Sequence, residues 1–92
     1  MTIGLFRPSG NFFFLRNSNT FGPPDVTIQF GAPGDLPIVG DWDGNGTMTI
    51  GLFRPTGNFF FLRNTNTLGP PDTTVSFGAS GDKPIVGNWD GL

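Results

Sequence analysis

The sequence predicts an all-β protein built from four-stranded antiparallel units, on three observations. Residues Thr2 to Asn45 return 47 positions later as Thr49 to Leu92, with 34 of the 44 aligned residues identical. Within each copy, short apolar stretches alternate with a period of two, the pattern of a strand with one covered face. Between the stretches stand turn-forming residues, and the chain holds 15 glycines and 9 prolines in 92 residues. A self-similarity of this length marks a repeat architecture. Two copies are too few to close most such architectures, so the remainder is expected from further copies of the same chain.

The strands follow in order. Pro37 to Trp42 is a first strand, with Ile38 and Trp42 on one face. Thr49 to Arg54 is a second, with Ile50 and Leu52 together. Asn58 to Asn64 carries the block FFFLR, apolar on both sides, and is expected to lie between packed layers. Thr73 to Phe77 is a fourth, with Val75 and Phe77 aligned. The earlier copy repeats three of these at Thr2 to Arg7, Asn11 to Asn17 and Val26 to Phe30. Asp43-Gly44-Asn45-Gly46 joins the first strand to the second. Pro55-Thr56-Gly57-Asn58 joins the second to the third, with proline fixing its own φ and glycine free to take a positive one. Thr65 to Asp72 is a longer polar loop, and Gly78 to Asp82 leads back to the next first strand. Four short antiparallel strands in this length match one blade of a β-propeller.

Composition removes several functions. Only 13% of residues are charged and the net charge is −2. There is no cluster of Lys and Arg to neutralise phosphates, so nucleic acid is not an expected partner. No apolar run is long enough for a helix to cross a bilayer, and no membrane partner is expected. With no His, Cys or Tyr, imidazole, thiol and phenol chemistry and cysteine-based metal sites are absent. The carboxylates sit in glycine-flanked turns, and no pair is singled out for acid–base work. The expected protein is not an enzyme, and cysteine usage leaves its compartment open.

The segment FGAPGDLPIVGDWDGNGTMTIGLFRP resembles the FG-GAP repeats of integrin-type β-propellers, closest to their bacterial relatives, which read G-D-x-D-G-D-G-x-x-D before an apolar strand. The likeness covers both copies. It implies a parent that is a bacterial secreted or cell-surface protein, and an acidic loop joining a blade's innermost strand to its second. In that frame the two sequence repeats, 2–45 and 49–92, are not the structural blades. One blade is whole, from Pro37 to Gly78. The other is split: strands two to four are Thr2 to Gly31, and its first strand is Pro84 to Trp89 at the far end. The two pieces flank the whole blade on opposite sides. They are expected to pair between neighbouring chains, with Ile3, Leu5, Ile85, Val86 and Trp89 closing a homo-oligomeric ring by strand exchange. Three or four chains would give the usual six or eight blades, and seven chains a larger ring of fourteen blades. The cut falls within the acidic loop, and Leu92 stands where the first copy has Asn45. Leu92 is therefore expected to be an appended residue, and the whole either an engineered symmetric assembly or a piece of a bacterial surface repeat protein.

Three sets of residues are candidates for binding. Oxygen donors at alternate positions of a glycine-bent loop are how calcium is wrapped. The resemblance implies Asp41, Asp43, Asn45 and the Thr47 carbonyl as its ligands, with Thr49 where the family usually has Asp. The alternative is an Asx-Gly turn whose side-chain oxygens cap backbone N–H groups. Trp42 and Trp89, beside the phenylalanine blocks Phe12 to Phe14 and Phe59 to Phe61, could stack a sugar ring in a multivalent lectin-like carbohydrate-binding module. The phenylalanines are otherwise inter-blade packing. Arg7, Arg16, Arg54 and Arg63 recur in register and are expected to pair with Asp25, Asp35, Asp72 and Asp82 rather than to bind anions.

Overall fold

The structure is a computed structural model that describes residues 1–91. Leu92, and with it the expectation that it is an appended residue, lies outside the described residues. Seven strands and no helix make up the described chain: β1 (Gly4–Arg7), β2 (Phe12–Leu15), β3 (Val26–Gln29), β4 (Leu36–Gly40), β5 (Thr49–Arg54), β6 (Phe59–Leu62) and β7 (Thr73–Ser76). They form two antiparallel sheets in simple sequence order, β1-β2-β3 and β4-β5-β6-β7. Each strand falls inside an alternating stretch read from the sequence, except that β4 begins one residue earlier, at Leu36.

The hairpin turns show why these residues occur where they do. Between β5 and β6, Gly57 and Asn58 both take positive φ, 90° and 55°. Asn58 N–H closes the turn on the Pro55 carbonyl at 3.3 Å. Glycine enters this region freely, and asparagine is among the few side chains that tolerate it. Asn11 does the same between β1 and β2, with φ of 59°. Register is then fixed: Phe53 lies opposite Phe60 and Leu52 opposite Phe61, as Phe6 lies opposite Phe13 and Leu5 opposite Phe14.

The core lies between the sheets. Phe13 and Ile28 from the first sheet, with Phe30 just beyond it, meet Ile50 and Leu52 of β5. Phe6, Leu15 and Val26 pack on the same cluster from one side and Phe61 from the other. Alternation makes this possible: Phe6, Phe13, Leu15, Val26 and Ile28 share one face of the first sheet, and Ile50, Leu52 and Phe61 share the facing side of the second. The linker between the sheets passes so close that a Cβ on Gly31 would lie 2.4 Å from Leu52 Cδ1, and Gly31 also takes a φ of 117°.

Three features differ from the sequence reading. β4 ends at Gly40 rather than Trp42, because the Trp42 ring turns back over the strand. A Cβ on Gly40 would lie 2.5 Å from that ring, and one on Gly51 3.1 Å from it. The aromatic strands are not buried on both faces within the chain: Phe13 is buried, Phe12, Phe14, Phe60 and Phe61 are half-buried, and Phe59 is exposed. Finally, residues 83–88 form no strand in the single chain. The strand read at Pro84 to Trp89 has no hydrogen-bonded neighbour sheet there, and Ile85 and Trp89 are about three-quarters exposed.

Leu52 touches both sheets at 1% exposure. Leu52→Ala is expected to lower unfolding stability by about 2–5 kcal/mol, measured by denaturant titration. A change below 1 kcal/mol would mean that the inter-sheet contact is not the core of the fold.

Candidate functional site

The acidic loop is organised by its own backbone. Asp41 accepts the N–H of Asn45 on Oδ1 at 3.0 Å and that of Gly46 on Oδ2 at 2.8 Å. Asp43 Oδ1 accepts a second bond from the Asn45 N–H at 3.2 Å. Asn45 Oδ1 accepts the N–H of Thr47 at 2.9 Å. Aspartate and asparagine side chains commonly close turns in this way. The three side chains implied as calcium ligands thus each accept amide N–H groups of the same loop. Among the described residues no group of three or more His, Cys, Asp or Glu is placed to hold a metal. The donor set offers two carboxylates, one amide oxygen and the Thr47 carbonyl, and each of the three side chains accepts at least one N–H of the same loop.

Trp42 belongs to the same corner. Its indole N–H donates to the Ile50 carbonyl at 3.0 Å, and its ring lies on the glycine surface described above. Both the polar handle and one face of the ring are therefore engaged in holding β4 to β5. Its repeat equivalent, Trp89, is 74% exposed. The structure does not bring Trp42 and Trp89 together with the phenylalanine blocks into one platform. Phe12 stacks with Phe14 at a centroid distance of 5.8 Å, and Phe59 with Phe61 at 5.8 Å, on their own sheets.

The arginines form two kinds of site. Arg54, at the end of β5, makes a two-pronged ion pair with Asp35, Nε to Oδ1 at 2.9 Å and Nη2 to Oδ2 at 3.0 Å. The Asp35 side chain has no exposed surface, and its Oδ2 also accepts the Ala32 N–H at 2.9 Å. Arg54 lies over the Phe61 ring, 4.6 Å from its centroid. Hydrogen bonding to Asp35 holds the Arg54 pKa above its ordinary value, against the opposing cost of burial and with help from the Asp35 charge. With Asp35 ionised, a raised arginine pKa means that this contribution is fully present up to the ordinary arginine value and is lost only in stronger alkali. The pair fixes the linker between the two sheets to the end of β5.

Arg16 and Arg63 act within loops. The Arg63 guanidinium binds the Pro70 carbonyl at 2.9 Å, Asp72 at 3.0 Å, and the Thr67 carbonyl and hydroxyl at 3.1 and 2.9 Å. Arg16 makes the corresponding bonds to Pro23, Asp25 and Thr20. The sequence reading anticipated the carboxylate partners Asp25, Asp35 and Asp72. It missed that one guanidinium gathers a whole Thr-x-Thr…Pro-Pro-Asp loop. The signal was there: the loop's polar residues recur in step with the arginine.

Arg7 and Asp82 are the exception. They are the repeat equivalents of Arg54 and Asp35, yet among the described residues no ion pair forms between them. Arg7 keeps the stacking on Phe14, 4.7 Å from its centroid. Asp82 keeps the turn bond, accepting the Ala79 N–H at 2.8 Å. The remaining sequence-predicted residues, Ile3, Leu5, Ile85 and Val86, are 57%, 71%, 75% and 40% exposed. Ile3 precedes β1 and Leu5 lies in it, and the open edge there borders a groove of about 730 Å³ that reaches across to Pro37, Ile38 and Val39 of β4.

No protein-family model, curated protein or solved structure matches this chain.

Two outcomes are expected. Arg54→Ala strands the buried Asp35 carboxylate and should cost roughly 3 kcal/mol, the low end for a broken buried pair because Arg54 stays partly exposed; thermal or denaturant unfolding measures it. The melting temperature should be the same with chelator as with millimolar calcium. A clear rise with calcium would show that Asp41 and Asp43 can turn outward to an ion.

Proposed function

We propose that the chain is a structural, self-assembling scaffold without catalytic activity, whose two sheets are blades of a β-propeller-like ring completed by further copies of itself. The observation that carries this reading is the contact between the two sheets. It joins one face, Phe6, Phe13 and Ile28, to another, Ile50, Leu52 and Phe61. The repeat places both faces on the chain a second time, with their outer members exposed. Phe53, Phe60 and Val75, with Phe77 beyond β7, are the equivalents of the first face; Phe53 is already buried and Phe60 half-buried, so the exposed part is Val75 and Phe77. Ile3, Leu5 and Phe14 are the equivalents of the second. Val75 is 45% exposed and Phe77 75%, where their counterparts Ile28 and Phe30 are 2% and 8%. Ile3 and Leu5 are exposed where Ile50 and Leu52 are each at 1%.

A surface of this kind on one end and its complement on the other is a head-to-tail interface. Contiguous exposed apolar residues on a small soluble protein mark an interaction surface. The partner that fits is a second copy, because the chain already contains the finished contact with nearly the same residues. The resemblance to FG-GAP repeats supports the same reading, since those repeats form rings of blades. Burial of each large side chain gives roughly 1.5–3 kcal/mol, so Leu5, Ile3, Val75 and Phe77 together provide a driving force of several kcal/mol for association.

Light scattering coupled to size exclusion should give a mass that is a multiple of 9.9 kDa, with about 30 or 40 kDa corresponding to rings of the common blade numbers. A stable folded monomer would overturn the reading. The paired variants Leu5→Ala and Leu52→Ala give a second check. If a neighbour covers Leu5, both substitutions destabilise by about 2–5 kcal/mol. If Leu5 faces solvent, only Leu52→Ala does.

A further inference from the structure

Resting on that assembly, we infer that residues 83–87 of one chain add to the bare edge of β1 in a second copy in one fixed register, with Asp82 closing a two-pronged ion pair on the second copy's Arg7.

The register follows from the covered edge within the chain. There β4 pairs with β5 as Leu36 to Phe53, Pro37 to Leu52, Ile38 to Gly51, Val39 to Ile50 and Gly40 to Thr49. Moved by the 47-residue repeat, the same pairs are Lys83 to Phe6, Pro84 to Leu5, Ile85 to Gly4, Val86 to Ile3 and Gly87 to Thr2. Four of the five residues on the incoming-strand side of this ladder are identical to their counterparts, and all five on the β1 side. The single change, Leu36 to Lys83, falls at a position 38% exposed in the finished sheet, so a lysine there keeps its ammonium in water.

Three features of the single chain have the form of a half-made contact. Asp82 and Arg7 each retain the local bonds of Asp35 and Arg54 but not the ion pair between them. The Trp42 indole N–H reaches the Ile50 carbonyl across the β4–β5 pair, while Trp89 and Ile3 are both exposed at the corresponding ends. The groove beside Ile3 and Leu5 runs between β1 and the β4 strand of the next sheet, the place a paired strand would fill. Strand addition of this kind takes its affinity from the main-chain ladder and its register from alternate side chains. A forked arginine–carboxylate pair adds a geometric lock.

The chain has no cysteine, so thiols can report the register in the full-length protein. Directly opposed strand residues have Cβ atoms about 4.5–5.5 Å apart, close enough for a disulfide to form with little adjustment. Ile3→Cys with Val86→Cys, oxidised in the assembled state, should give covalent multimers on a denaturing non-reducing gel. The series should end in one species with no free thiol, whose chain number equals that of the native assembly. Ile3→Cys with Ile85→Cys places the thiols on opposite faces and should stay largely uncrosslinked. In parallel, Arg7→Asp and Asp82→Arg should each weaken association at least tenfold, and the two together should recover most of it.

A monomeric wild-type protein would overturn both the assembly and this inference. An oligomeric wild type that crosslinks through Ile85→Cys, or through neither pair, leaves assembly standing and overturns the register. A crosslinked monomer with no free thiol would show the segment folding back on its own chain and overturns the exchange. Additive losses from Arg7→Asp and Asp82→Arg, with no recovery in the double variant, would remove the ion pair from the inference.

Discussion

The structure depends on one contact, the meeting of a phenylalanine-rich face with an aliphatic one. Neither sheet can bury a core alone: three or four short strands enclose nothing, and a lone twisted sheet leaves both faces wet. Phe13, Ile28 and Phe30 therefore need Ile50 and Leu52, and the reverse holds as well. The glycine at position 31 exists to let the linker run beneath Leu52, and the Arg54–Asp35 pair holds that linker at the far end of β5. The remaining polar detail secures edges and loops around this contact.

Most of the strand pattern was legible because period-two alternation and turn chemistry are local. The four-residue turns at Pro8 to Asn11 and Pro55 to Asn58 set the register of both hairpins, and the register decides which phenylalanines share a face. What the sequence could not show was depth. Phe13 and Phe60 are the same residue in the same strand position, yet one is buried and the other half-buried, because burial depends on which sheet stands next to which. The Trp42 corner was equally hidden. A tryptophan two residues past a strand reads as a continuation of it or as a platform for a ligand. Only the bare backbone of Gly40 and Gly51 beneath it reveals a packed ring.

The candidate site was partly legible for a similar reason. Carboxylate and amide residues spaced two apart in a glycine-rich loop satisfy a calcium motif and an Asx turn equally well on paper. The difference lies in where the oxygens aim, and here Asp41 and Asn45 aim at amides four, five and two residues ahead. The arginine pairs were easier to read, because four arginines and four aspartates recur with one spacing. Three pairs meet inside the chain. The fourth consists of the two residues that the repeat places at opposite ends.

The linker from Phe30 to Asp35 has a consequence for how fast and how firmly contacts form. It is the only covalent tie between the two sheets, and it holds their faces at a high effective concentration, in the millimolar range for a short connection. Closing the inter-sheet face within a chain is thus a first-order event, independent of dilution. The equivalent face proposed between chains would have no such tether, and its formation would scale with protein concentration. Two chemically equivalent surfaces on one molecule are separated in time and in sensitivity to dilution by the presence of a few linking residues.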